Sequence, residues 1–451
     1  MHNYSILNEL NIDPNNVKSV EELMQDNEHL VFITLKANQT RCPYCGNKAV
    51  LKEYKEETIR TKIRNKSITN VFIRKPRYVC KTCHKTYTQN ITDIAINSLS
   101  NKTISDIKEM FRQKISFTDI AKIYCLPKTQ IIRIFDSMKI ENNVVISEAI
   151  CIDEFKNCKN ALGKYACIIV NFDNHEIVDI LEDRTLPYLR QYFSRIPLGV
   201  RSFVKYIVTD MYDGYLTIAR EYFPNAVVAI DPFHYMRYLT DAIQRIRKDL
   251  LNNHDNDLSD RTWIGNHWQL ITADRKTIEN LYSTLSNGTN ISYNDRIERF
   301  VKQNNKLNYS YLLLQDVFYD LKHEKESTAY DIIQFYIDKM KNSGYEELIS
   351  VGNTWENYHK EISNSFIIFK GKRLSNGPVE GINNTEKTVI KFSYGFKDYK
   401  RLRKRVLLIA NKDKIKGWAF THPNPLLISI LGKTLIYPKI WSRALFCFIE
   451  I

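Results

Sequence analysis

The sequence predicts a multidomain α/β protein: a mixed β-sheet, an all-helical insertion within it, and two small modules ahead of it. Three features carry that expectation. Residues 149–230 hold five short apolar runs, the later ones alternating with helical stretches. Upstream lie two Cys-x-x-Cys pairs and three short helical patterns in series. Downstream of Tyr235 the periodicity is helical, until a turn at Asn376-Gly377-Pro378 opens a polar helix headed by Glu380.

Composition narrows the partners. A formal charge of +14 and a pI near 9.1 favour a polyanion, most simply nucleic acid, over other partners. No basic amphipathic helix suggests a membrane surface. The first residues, MHNYSILNELNIDPNN, lack a basic-then-apolar leader, and no run of about 18 apolar residues occurs. A soluble, cytoplasmic protein is therefore expected. Nine cysteines, an odd number, fit a reducing compartment with some thiolates held by metal.

The N-terminal segment (1–40) contains one expected strand, His29–Lys36. A zinc ribbon is expected over 41–95. Its ligands are Cys42 and Cys45 in Cys-Pro-Tyr-Cys-Gly, and Cys80 and Cys83 in Cys-Lys-Thr-Cys. Four thiolates in matched pairs supply tetrahedral Zn²⁺, and Gly46 suits the tight knuckle that follows Cys45. Between the pairs Arg60, Lys62, Arg64 and Lys66 alternate, placing them on one face of a strand. Arg74, Lys75 and Arg77 follow before Cys80. Together they describe a basic sheet face that contacts phosphates rather than reads bases. A helix-turn-helix is expected over 100–140: Lys102–Phe111, then Phe117–Tyr124, a break at Cys125-Leu126-Pro127, and Lys128–Met138. The last helix exposes Lys128, Thr129, Gln130 and Arg133 and is placed as the reader in the major groove.

From Ala149 the period changes. Ala149–Phe155, Tyr165–Phe172 and Glu176–Leu181 read as three strands in hairpin series. Leu186–Phe193 then reads as a helix, Tyr206–Thr209 as a strand, Asp213–Phe223 as a helix and Ala226–Ile230 as a fifth strand. That order describes an RNase H-like mixed sheet whose first strand lies beside its fourth. Asp153 and Asp210 then sit side by side at the ends of adjacent strands, in a core part spanning 148–234. Asp173, Asp183 and Asp213 are expected as turn residues or helix caps. Cys151, Cys158 and Cys167 are assigned to packing.

Residues 235–374 form the helical insertion, with Arg237, Arg245, Arg247 and Lys248 exposed on its first helix and Trp263, Trp268 and Trp355 placed in the core in preference to stacking on flipped DNA bases. The second core part, 375–415, carries the third acid. On its helix Glu380, Asn383, Asn384 and Lys387 share one face, and the last three could contact DNA held at the metals. A basic run from Lys397 through Lys400, Arg401, Arg403, Lys404 and Arg405 follows. Glu361 and Glu386 compete with Glu380. Six residues of α-helix rotate Glu386 roughly 120° off Glu380's face, so the two cannot serve one site. The apolar tail (416–451) has no assigned role. Three hard-oxygen acids on separated elements suit two Mg²⁺ (or Mn²⁺) ions about 3.5–4 Å apart, which clamp the two oxygens of an in-line phosphoryl displacement.

The motifs IDEF at Asp153, VTDMYDGY at Asp210, DPFH at Asp231–His234 and SNGPVEGINN at Glu380 resemble the DDE transposases of bacterial insertion sequences, and most closely the ISL-three family. The resemblance runs from about Arg41 to Arg405. It implies that Asp153, Asp210 and Glu380 bind divalent metal, and that Asp231 and His234 are accessory to the active site. It also implies binding of terminal inverted repeats and target DNA, strand cleavage with 3′-OH transfer, and a homodimer or larger assembly on paired ends. The rival readings are a non-catalytic zinc-ribbon and helix-turn-helix regulator, or an RNase H-like DNA nuclease.

Overall fold

In the computed structural model the described residues are 6–8, 10, 12–25, 28–39, 41–63, 67–88, 99–252, 258–285, 287–379, 381–382, 398–411 and 415–416. They divide into two units. The first takes the described residues of Met1–Glu141 and, from the far end of the chain, of Lys400–Thr421; the second takes those of Asn142–Thr385 and of Lys397–Tyr399.

The first unit is built on a sheet of β1 (Val17–Gln25), β2 (Glu28–Leu35), β3 (Ala49–Ile63), β4 (Ser67–Cys80) and β5 (Thr86–Thr88). The order is β1-β2-β4-β3, with β5 on β4. Alternation in β2 and β4 buries Val31, Ile33, Leu35, Val71 and Ile73 on one face. The N-terminal segment supplies two strands where one was expected. β1 is an edge strand exposed on most of its length, so its VKSVEELMQ sequence carries no alternation, and main-chain pairing to β2 holds it. The basic face is corrected as well. Arg77 pairs with Glu53 at 3.0 Å, Arg74 with Glu56 at 4.0 Å and Lys75 with Glu57, all across the β3–β4 ladder. Those three cations are matched by glutamates that a reading of β4 alone does not see.

Three helices follow: α1 (Asn101–Met110), α2 (Phe117–Ile123) and α3 (Lys128–Ser137). Ser100 and Ser116 cap the first two through the N–H groups of Thr103 and Asp119. Phe111, Phe117 and Phe135 meet at centroid distances of 4.9–5.5 Å in their core. The C-terminal helix Tyr399–Ala410 returns, from Lys400 onward, to this unit. Its cations Arg401, Lys404 and Arg405 bond protein groups, which corrects their place in a phosphate-binding run.

The second unit holds the mixed sheet: β6 (Ala149–Lys156), β7 (Tyr165–Asn171), β8 (Ile177–Leu181), β9 (Tyr206–Thr209) and β10 (Val227–Ile230), in the order β10-β9-β6-β7-β8. β6, β7 and β8 are antiparallel; β9 and β10 run parallel to β6. The first strand therefore lies beside the fourth. Helices α4 (Leu186–Phe193), α5 (Leu198–Phe203) and α6 (Asp213–Tyr222) occur between strands, and Leu189, Phe193, Ile218 and Phe223 pack with Ile152 and Ile207 of the sheet.

The later part is mainly helical, beginning with α7 (Pro232–Asn252) and gathered around fully buried Trp355, whose Nε1 donates to the Tyr235 carbonyl at 3.1 Å. Trp268 lies largely exposed, outside the core expected for it. Two short hairpins interrupt the helices, Tyr282–Thr284 with Asn290–Ser292 and Ile368–Phe369 with Lys372–Arg373. Strands of two or three residues are too short to leave a periodic signal. Arg247, expected outside, is buried, and its Nε donates to Gln244. No helix among the described residues is long and apolar enough to cross a membrane.

Candidate active site

β6 pairs with β9 only as far as Cys151↔Val208 and then runs on beside β7. Asp210 follows the last residue of β9, so it faces the stretch of β6 that has lost its neighbour. Asp153, Glu154 and Asp210 each bring a carboxylate oxygen within 4.8 Å of the others. Glu154 was not foreseen. Period two puts neighbours on opposite faces of a strand, but at an open strand end both side chains can bend around the edge. Arg184 is a second residue the sequence did not single out. Its Nη1 lies 2.6 Å from Glu154 Oε1, and its guanidinium stacks on Tyr165 and Tyr212 at 4.6 and 4.5 Å. The nearest signal was local: an acid beside Asp153, and an Arg in the loop before α4.

Burial dominates the electrostatics. It raises the Asp153 carboxyl to about 7, with the Asp210 and Glu154 charges adding to the effect. Burial likewise raises Glu154, next to Asp210, and raises Asp210 itself. Three acids that resist ionising together fit a divalent cation. Mg²⁺–oxygen bonds of about 2.1 Å set ligand oxygens roughly 3–4 Å apart, which the cluster can meet with small rotamer adjustments.

Asp231 is buried, and its two oxygens accept from backbone N–H groups: Phe233 at 3.2 Å and Asn376 at 2.7 Å. It therefore fastens Asn376, at the bend just before helical residues 377–379, to the end of β10. Cys151 adds a donor contact to the Ser375 carbonyl at 3.6 Å. The Asn376 side chain is buried, and among the described residues neither end of its amide has a partner. His234 lies in the first turn of α7, and burial lowers its pKa. Glu361 is tied to Arg220 at 2.8 Å, which occupies that alternative third acid. Glu380, Glu386, Asn383, Asn384 and Lys387 lie outside the described residues, as does the tail His422–Ile451. Asp173 binds Lys370, Asp183 the Thr185 turn, and Asp213 the Tyr358 hydroxyl. Cys151 and Cys167 are fully buried, their thiols raised by burial, as packing residues would be.

In the first unit the four cysteines form a second cluster. Cys42 Sγ lies 3.7 Å from Cys83 Sγ and Cys45 Sγ 3.4 Å from Cys80 Sγ, with all four within 4.8 Å of one another. A tetrahedron of 2.3 Å zinc–sulfur bonds has edges of about 3.8 Å, so the cluster fits Zn²⁺. Gly46 and His84, each just after a pair, take left-handed φ of 73° and 56° and turn the two knuckles. The N–H of Cys83, with that of Thr82, pulls the Cys80 thiol down to about 6. On α3 Lys128, Thr129 and Arg133 are exposed and Gln130 half-buried. Arg60 is exposed on β3; the Lys62 side chain and Arg64 lie outside the described residues.

Residues 150–406 match the family model of the ISL3 type of DDE enzyme, described as a transposase. A curated relative, the transposase for insertion sequence element IS1001 of Bordetella parapertussis, is 23% identical over 252 residues. That match covers 56% of this chain and 58% of the relative's length.

Proposed function

The chain belongs to the ISL3 family of DDE transposases, and on that footing we propose that it binds the terminal inverted repeats of an insertion sequence, cuts them in a metal-dependent reaction and transfers the 3′-OH to target DNA. The observation that carries the reading is the convergence of Asp153, Glu154 and Asp210 where β6 outruns β9. Asp153 and Asp210 would hold the divalent ions, with Glu380, four residues beyond the Asn376 that Asp231 pins, as third ligand. Bound there, Mg²⁺ or Mn²⁺ would supply Lewis-acid chemistry for the attacking water or hydroxyl and for the charge at the scissile phosphate. Glu154 is held by Arg184, and Arg184 offers a positive charge to which a DNA phosphate can turn. Asn376 presents a buried amide with unspent donors and acceptor, placed to be satisfied when hydrated metal or DNA enters. His234 stays neutral at the helix start and orients the groups around it.

The zinc cluster holds the β3–β4 hairpin, Arg60, Lys62 and Arg64 contact phosphates, and Lys128, Thr129, Gln130 and Arg133 read the repeat. Two paired ends call for at least a homodimer. The test is incubation with Mn²⁺ and a labelled duplex copied from inverted repeats flanking the gene. Nicking at one fixed terminal position, abolished by Asp153→Asn, Asp210→Asn and Glu380→Gln while binding persists, is the expected result. Binding without cleavage by the wild-type chain would instead favour a regulator, and structure-dependent cutting a nuclease.

A further inference from the structure

Three cations on the C-terminal helix Tyr399–Ala410 are committed to the three-helix module of the same unit. Arg405 is fully buried. Its Nη2 donates to the carbonyls of Gln113 at 3.0 Å and Ile115 at 2.6 Å, in the turn between α1 and α2. Its guanidinium lies over Phe111 and Phe117 at 5.6 and 5.4 Å. Lys404 Nζ donates to the carbonyls of Phe135, Asp136 and Met138 at 2.9, 3.3 and 2.8 Å. Arg401 grips Asp136 with two bonds of 2.8 and 2.6 Å.

These contacts all address features of α3 or the turn before α2 that would oppose DNA reading. The last carbonyls of a helix have no partners within it and carry partial negative charge. Lys404 covers that end of α3. Asp136 lies three residues beyond Arg133, so it shares the exposed side of α3, where a bare carboxylate repels phosphates. The planar fork of Arg401 neutralises it and fixes its direction. Arg405 meanwhile locks the turn that sets the angle between α1 and α2.

We infer that the C-terminal helix is a working part of the DNA-reading module: Arg401 and Lys404 are positioning residues that aim α3 and mask Asp136. The inference rests on the reading of α3 as the recognition helix. It makes end recognition depend on residues far beyond the N-terminal third of the chain.

The test uses the full chain and two probes, a duplex selected by the wild-type chain from a random pool and a scrambled duplex. Arg401→Asp should weaken binding to the selected duplex by roughly tenfold or more, weaken binding to the scrambled one far less, and leave the salt slope unchanged. The exchanged pair Arg401→Asp with Asp136→Arg should restore the preference to within about threefold of wild type. Lys404→Met should speed amide exchange in the last turn of α3 and lower the preference in parallel. Arg405 stays untouched, because its removal opens the core. A salt slope flatter by about one counterion in Arg401→Asp, with no rescue by the exchange, would place Arg401 on a phosphate and overturn the inference. Unchanged preference in both Arg401→Asp and Lys404→Met would reduce the helix to packing. If the wild-type chain selects no duplex at all, the recognition-helix reading itself fails and takes this inference with it.

Discussion

Asp153 carries the clearest pH signature in the molecule. Its carboxyl titrates near 7 in the fold because it is buried, against an ordinary value of about 3.9 when unfolded. The folded state thus binds the extra proton across that window. Stability from this group is complete below about pH 4 and is lost as pH rises toward 7. Without divalent metal, the second unit should therefore melt at lower temperature at pH 8 than at pH 5. Asp153→Asn should flatten that dependence and stabilise the metal-free unit at pH 8 by on the order of 2–4 kcal/mol. Mn²⁺ should raise the melting point of the wild type and leave the variant nearly unmoved. Calorimetry at the two pH values, with and without Mn²⁺, decides it; a wild-type melting point indifferent to pH would contradict the burial argument. Asn376 supplies a second test. An unpartnered buried amide costs about 1–3 kcal/mol, so Asn376→Ala should hold or raise the melting point while slowing cleavage by roughly tenfold or more. Loss of stability together with cleavage would place Asn376 among the packing residues.

Elements carry their own consequences. The β3–β4 hairpin is long, and the cysteines sit at its open base beside β5, where the hydrophobic cluster is small. Zinc should be the main restraint there. Cys80→Ser, or chelation, is expected to open that end and release amide protection from Ala49 through Tyr54. The distal part, backed by Ile59, Val71 and Ile73, should keep its protection longer. Elemental analysis of the purified chain finding no zinc would end this expectation. The charge pairs across the same hairpin make a sharper distinction. Replacing Arg60, Lys62 and Arg64 with Ala should flatten log K against log[salt] by about one counterion for each phosphate that no longer meets a cation. Replacing Arg74 and Arg77 should leave the slope nearly unchanged, since each already faces a glutamate. Wild-type slopes in both sets would show that neither touches DNA, and equal flattening that the glutamates do not screen Arg74 and Arg77.

At the scale of the whole molecule, two units with separate cores, each with its own cluster of candidate metal ligands, should unfold in two steps. A zinc chelator should lower one calorimetric transition and Mn²⁺ raise the other; a single transition moved by both would mean that the units melt together. Much of this architecture was legible in chain order. The five strands of the mixed sheet, the matched cysteine pairs and the exposed face of α3 follow from periodicity and spacing, which are local properties. Asp153 and Asp210 were legible for the same reason, because each ends or interrupts a strand that pattern alone locates. What chain order could not settle were the pairings: Glu154 with Asp210, Arg184 with Glu154, Arg77 with Glu53, and Arg401 with Asp136. A charge looks alike in sequence whether it meets solvent, phosphate or an opposite charge brought across a ladder. Only the folded chain decides which neighbour it has, because desolvation and ion pairing depend on distance in space. The same holds for β1, an exposed edge strand held by main-chain bonds to β2 rather than by any pattern of its own side chains.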